Sequence, residues 1–262
     1  MSKICSLFSG SSGNCIYLSG GGGALLIDAG VSAKRIKAAL GSHGVSAGEL
    51  DGILITHEHG DHTGGLNVLL KQYPNLPIYA TDKTLDLLIR KKKVPATALM
   101  YTVGPDTAVG RFTVNAFPTL HDDEGSCGFT VTMPSGERVA ICIDLGTVTD
   151  AVRKGITGCR AVVIESNHDV TMLTNGPYSS DLKHRVLSEL GHLSNTACAA
   201  ELPGLVRSGT AQIILAHLSC ENNTPETARA AAVASLLADG LREDEDYRLS
   251  VSLPEGNPMI VF

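Results

Sequence analysis

Seven consecutive residues, Thr56-His57-Glu58-His59-Gly60-Asp61-His62, follow directly on the apolar run Ile53-Leu54-Ile55. Three imidazoles and Asp61 thus crowd one turn. A buried strand ending at this point would deliver them to its C-terminal edge, and the loop beyond would aim them at one spot. Imidazole and carboxylate together suit a divalent transition metal such as zinc, manganese or iron. A solvated His-rich turn is the plain alternative. Placement at a strand end argues against it, because α/β sheets keep their ligand sites there.

The rest of the chain supplies sheet and helix in alternation. Strands are predicted at Ile4 to Phe8, Cys15 to Leu18, Ala24 to Asp28, Ile53 to Thr56 and Pro77 to Ala80. Further strands fall at Arg111 to Ala116, Gly128 to Met133, Arg138 to Ile143, Ala161 to Glu165, Ile213 to Ala216, Arg248 to Val251 and Met259 to Phe262. Helical spacing marks Lys34 to Leu40, Gly65 to Tyr73, Thr81 to Lys91, Leu182 to Leu190, Asn195 to Ser208 and Thr224 to Ala238. This mixture predicts a layered α/β sandwich. No low-complexity linker or short repeat divides the 262 residues, so one domain spanning 1–262 is expected. Aromatics are only 4% and Trp is missing, so aliphatic side chains must fill the core.

Charge and cysteine usage narrow the function. A net charge of -6 argues against a surface coated in basic residues for nucleic acid, though not against a local basic groove beside bound cations. The 7 cysteines are scattered and form no CxxC pair, which disfavours a cysteine-only zinc site and suggests a reducing, cytoplasmic setting. Met1 to Phe8 is too polar and short for a signal peptide, and no apolar stretch reaches the ~20 residues that span a bilayer, so no membrane partner is expected.

Other chemistry-bearing residues repeat the strand-end pattern. His121, His168 and His217 each follow a predicted strand, and Asp144 ends one beside Leu145-Gly146, where a carboxylate can bridge two metals. His192 sits in the turn Gly191-His192-Leu193-Ser194-Asn195, whose Ser194 or Asn195 can cap the next helix. Ser9 to Asn14 either cradles an anion with its backbone donors or simply closes a hairpin. Glu165 can orient His168 or sit in a buried salt bridge. His43 and His184 read as exposed. Arg90-Lys91-Lys92-Lys93 reads as a solvated helix end or a contact to a nucleic-acid backbone.

HxHxDH, a lone His, a strand-end Asp and a late His, in that order, resemble the metallo-β-lactamase superfamily. The resemblance implies an αβ/βα four-layer sandwich and two divalent metal ions, zinc foremost, with manganese or iron open. It would give one ion to His57, His59 and His121, the other to Asp61, His62 and His217, with Asp144 and a hydroxide between them. Asp61 would also orient the hydroxide. The chain departs from the diiron flavoprotein branch, which usually has Glu where His59 stands.

A narrower likeness lies in Ser6 to Cys15, Thr56 to His62, Ser166-Asn167-His168-Asp169, Gly191 to Asn195, and Ala216-His217-Leu218-Ser219 followed by Asn222-Asn223. These resemble the YycJ/WalJ-type branch, which implies a cytoplasmic, metal-dependent 5′-to-3′ DNA exonuclease. The Gly191-His192 turn is also similar to tRNase Z and the small phosphodiesterases related to it. That similarity implies a general acid or phosphate contact for His192. His168 reads as a metal neighbour, a phosphate contact or a support for the ligands, and Asn14 and Ser194 as supports for the ligands or phosphate contacts. Competing readings are an RNA or small-molecule phosphodiesterase, a thioester or lactone hydrolase on the same metal core, and a non-catalytic binding protein. The complete ligand set disfavours the last.

Overall fold

The N-terminal apolar runs have no polar face, so both sides of the sheet they form must be covered. In the computed structural model, which describes residues 1–262, both sides are. β1 (Lys3–Phe8), β2 (Cys15–Gly20) and β3 (Gly23–Ile27) form an antiparallel meander. The chain then winds through α1 (Ala33–Ser42), β4 (Gly52–Leu54), the single turn α2 (Gly60–Thr63), α3 (Leu66–Gln72), β5 (Ile78–Ala80), α4 (Asp82–Arg90) and β6 (Met100–Thr102), adding β4, β5 and β6 in parallel. β7 (Thr107–Val109), β8 (Phe112–Pro118), β9 (Cys127–Thr132) and β10 (Arg138–Cys142) open a second sheet with antiparallel pairing. After α5 (Asp150–Ile156) the sheet continues in parallel through β11 (Ala161–Glu165), β12 (Gln212–Ala216) and β13 (Arg248–Val251). Between these strands lie α6 (Val170–Asn175), α7 (Ser180–Leu187), α8 (Asn195–Arg207) and α9 (Pro225–Ala238). β14 (Ile260–Val261) returns to the edge of the first sheet beside β1.

The period-two alternation of the strands decides the layering. Leu25 and Ile27 face Phe129, Val131 and Ile141 in the core between the sheets, whereas Leu26 between them packs outward with Ile36, Leu69 and Leu88. On the far side of the second sheet, Ala140, Ile164 and Leu215 meet Val152, Leu202 and Leu236 from the helices. The order is helices, sheet, sheet, helices, which is the expected αβ/βα four-layer sandwich. No helix is long and apolar enough to cross a membrane.

Four elements carry no signal in the sequence reading. β6 and β7 are three-residue strands, too short to show a period. α5 and α6 are short helices started by their caps, Thr149 accepting from Val152 N–H and Asp169 from Met172 N–H. The helix predicted to begin at Leu182 begins at Ser180, because Ser179 caps it.

The loops after β1 and β3 are bolted to the metal-motif turn. Asn14 N–H donates to the Asp61 carbonyl at 2.7 Å, and Ala29 N–H to the His62 carbonyl at 2.8 Å. Gly30 makes this approach possible: a β-carbon there would lie 1.6 Å from the Asp61 carbonyl oxygen. Gly30→Ala is therefore expected to destabilise the fold by about 1–3 kcal/mol in urea unfolding, as overpacked sites do. It should lower metal content as well; wild-type stability and metal content in the variant would show that the contact does not hold the turn in place.

Candidate metal centre

Strand ends from both sheets converge on one cleft. β4 leads through Ile55 and Thr56 into His57, His59, Asp61 and His62. β8 leads to His121, β10 to Asp144, β11 to Glu165 and β12 to His217. Three of the turns pass through left-handed backbone, with φ of 61° at Asp28, 57° at Asp144 and 57° at His217. Asp and His tolerate that region better than most side chains, and buried hydrogen bonds hold Asp28 and His217.

Of five groups of donor atoms gathered within 4.8 Å, two are His57 with His59 and His121, and Asp61 with His62 and His217. Asp144 belongs with both sides. Its Oδ2 lies 2.8 Å from His62 Nε2 and its Oδ1 3.3 Å from His217 Nδ1, and it also groups with His57. The ring atoms His57 Nε2 and His217 Nε2 are buried without any hydrogen-bond partner. Two bare imidazole nitrogens beside carboxylates are costly unless something satisfies them. The donor set therefore fits divalent cations.

Two fully buried carboxylates, neither assigned to the centre from the sequence, set the ring orientations. Asp28 accepts from Thr56 N–H and Thr56 Oγ1, each at 2.9 Å, and from His62 Nδ1 at 2.7 Å, so His62 turns Nε2 to the cleft. Glu165 Oε1 accepts from His217 Nδ1 at 2.7 Å and His192 Nδ1 at 2.8 Å, while its Oε2 takes the N–H groups of Leu145 and Leu193. Carboxylates placed behind imidazoles in this way commonly fix the tautomer and orientation of metal ligands. Glu165 thus serves His192 and His217, not His168.

Electrostatics follow this wiring. Burial pushes Glu165 up, but His192 and His217 bring it down to about 2. Burial pushes His217 down, and the carboxylates of Asp144, Asp61 and Glu165 carry it up to about 10. Burial likewise raises Asp61, yet the neighbouring imidazoles of His217 and His62 hold it well below the usual carboxylate range. Burial and neighbouring His62 keep His57 well below the ordinary imidazole value, with its lone pair free. A field that draws protons onto imidazoles draws cations to the same lone pairs.

The remaining predicted residues divide. His192 stands at the cleft edge, its side chain 21% exposed, with Nδ1 taken by Glu165. Asn14 is buried, with Nδ2 3.0 Å from His62 Nε2 and Oδ1 accepting from Gly10 N–H, so it props a ring. Ser194 caps α8 through Ala197 N–H and is not brought to the cleft. His168 is buried with both ring nitrogens unpartnered and joins none of the donor groups, while its backbone carbonyl accepts from Asn195 N–H. A buried network missed in the sequence ties these turns together. Ser166 Oγ donates to Asn195 Oδ1, Asn223 bridges Asn195 to the Ser166 and Asn167 carbonyls, and Asn167 Nδ2 donates to the His217 carbonyl. Its only signal was the density of Asn in these turns.

The family model of the Metallo-beta-lactamase superfamily matches residues 9–168. The chain is 35% identical over 251 residues to the exodeoxyribonuclease YycJ of Bacillus anthracis, covering 95% of this chain and 94% of that protein. It is 35% identical over 257 residues to the exodeoxyribonuclease WalJ of Streptococcus pneumoniae, covering 97% and 95%. The metallo-beta-lactamase fold protein YhfI of Bacillus subtilis superposes with a TM-score of 0.71 at 17% identity, over 98% of this chain and 99% of that one.

Proposed function

Because the chain belongs to the metallo-beta-lactamase superfamily and is a metal-dependent hydrolase, we propose that it cleaves the phosphodiester backbone of nucleic acid, removing nucleotides from the 5′ end of DNA. The observation that carries this reading is His192 backed by Glu165, an imidazole at the cleft edge beside Asp144 and His217. With Nδ1–H held by Glu165, Nε2 is free to give a proton to a leaving oxygen. A phosphodiester expels an alkoxide, whose parent alcohol is about as weak an acid as water (pKa about 15.7) and needs that proton. A thioester expels a thiolate (about 8.5 for a cysteine thiol), which leaves largely unaided.

His57, His59 and His121 would hold one divalent cation and Asp61, His62 and His217 the other, with Asp144 between. Zinc suits this histidine-rich set best, and the pair would neutralise phosphate oxygens and acidify water. Asp61, kept charged by its histidine neighbours, accepts a hydrogen bond from the attacking water and so aims its oxygen at phosphorus. The phosphorus–oxygen bond on the opposite side breaks as His192 Nε2 protonates the departing oxygen. Asn14 supports His62. Because the donors come from both sheets, residues 1–262 act as one unit.

DNA as substrate draws support from the two exodeoxyribonucleases that the chain resembles over nearly its whole length. The basic run at the end of α4 adds to it. Lys91 pairs with Glu58, and Lys93 Nζ lies 3.9 Å from the same carboxylate, which sits between His57 and His59. Those cations are thus anchored beside the centre despite the net charge of -6. All seven cysteines are free, in keeping with a reducing cytoplasm.

Purified protein with its metals assayed should be incubated with 5′-labelled single- and double-stranded DNA, RNA, bis-p-nitrophenyl phosphate and a glutathione thioester. Release of labelled mononucleotide from DNA is expected. Thioester cleavage with every phosphodiester left intact would overturn the reading.

A further inference from the structure

A cavity of about 160 Å³ opens beside His192, and its walls include His121, His217, Ser11, Tyr178 and Arg185. We propose that this pocket receives the terminal nucleotide of the strand and that Arg185 binds its 5′-phosphate; the proposal rests on the nuclease reading above. The group that His192 protonates belongs to the departing nucleotide, so that nucleotide must lie on the His192 side. In cleavage from the 5′ end the departing oxygen is O3′ of the terminal nucleotide, whose other end carries the 5′-phosphate. Water adds to phosphorus, the P–O3′ bond breaks, and the O3′ electron pair takes the His192 proton. The terminal nucleotide then leaves with a free 3′-hydroxyl.

The pocket suits that cargo. Its volume accepts a phosphate and part of a sugar. Arg185 is the cation among the lining residues. Asp122 Oδ2 takes its Nε and Nη2, leaving Nη1 for a ligand, and Asp122 Oδ1 lies 3.2 Å from His121 Nε2. The exposed guanidinium is thereby held towards the metal side, and an oriented fork suits phosphate oxygens. Asn222, another wall residue, is buried, with its Oδ1 against Gly176.

The test compares initial rates on one single-stranded oligonucleotide carrying either a 5′-phosphate or a 5′-hydroxyl, using holoenzyme. Wild type should prefer the phosphate by about tenfold or more, as expected for a charge-assisted contact. In Arg185→Ala that ratio should fall to about one, and Arg185→Lys, which keeps charge without the fork, should fall between. Arg185 is largely exposed, so both variants should fold. Cleavage without end preference in wild type, or a preference that survives in Arg185→Ala, overturns the pocket assignment and leaves the nuclease reading standing. Failure to cleave either oligonucleotide removes the nuclease reading, and the pocket assignment falls with it.

Discussion

Asp144→Asn should leave a folded chain that loses at least one metal equivalent and at least about 10³-fold in turnover, since each ion supplies several kcal/mol of charge stabilisation. Asp144 is the buried carboxylate shared by both donor groups, with one oxygen near His62 and the other near His217. Asparagine keeps the shape and one acceptor oxygen, but it loses the charge and puts an amide where the second oxygen faced an imidazole. The variant should also unfold more easily, because removing the carboxylate charge leaves the His62 and His217 imidazoles without their buried partner. Metal analysis alongside kinetics checks this. Two equivalents retained with wild-type turnover would show that Asp144 does not link the ions.

His192→Ala should keep both metals and lose about 10²–10⁴-fold in kcat on DNA, the range typical of a lost proton donor. With bis-p-nitrophenyl phosphate the loss should be far smaller, because p-nitrophenolate is a weak base and departs without a proton. A purely structural role for His192 would depress both substrates alike. The pH profile gives a second readout. Burial pushes His192 down, but the Glu165 carboxylate overrides this and lifts it above the ordinary imidazole value of about 6.5. A raised acid keeps its proton to higher pH, so activity holds through neutrality and falls on the alkaline side. Glu165→Gln should move that alkaline limb to lower pH. It should also weaken metal binding by about 10–100-fold, since Glu165 holds His217 too. An unmoved limb would remove Glu165 as the partner that sets the proton affinity.

The strongest sequence signals were those that needed only one strand and the turn after it. His57, His59, Asp61 and His62 share a single loop, so their convergence follows from local geometry. His121, Asp144 and His217 each end an apolar run, and the structure gathers them with that loop in one cleft. Asp28 and Glu165 carried the same strand-end signal as Asp144, closing the runs Ala24 to Asp28 and Ala161 to Glu165. Asp28 reads only as the end of a strand, and Glu165 as a partner of His168 or of a buried salt bridge, because no local pattern shows which imidazole each one holds. β6, β7, α5 and α6 escaped notice for a different reason: three-residue strands and one- to two-turn helices have too few side chains to display a period.

By itself the order of residues determined a layered α/β sandwich, because strands apolar on both faces must be covered on both sides. It also determined the stock of metal-binding side chains at the strand ends. Only the folded chain decided which partner each one has. Glu165 meets His192 at 27 residues' separation and His217 at 52, and Asp28 meets His62 at 34. Tautomer and proton affinity depend on contacts of a few ångströms between segments far apart in the chain, and no local pattern encodes such contacts.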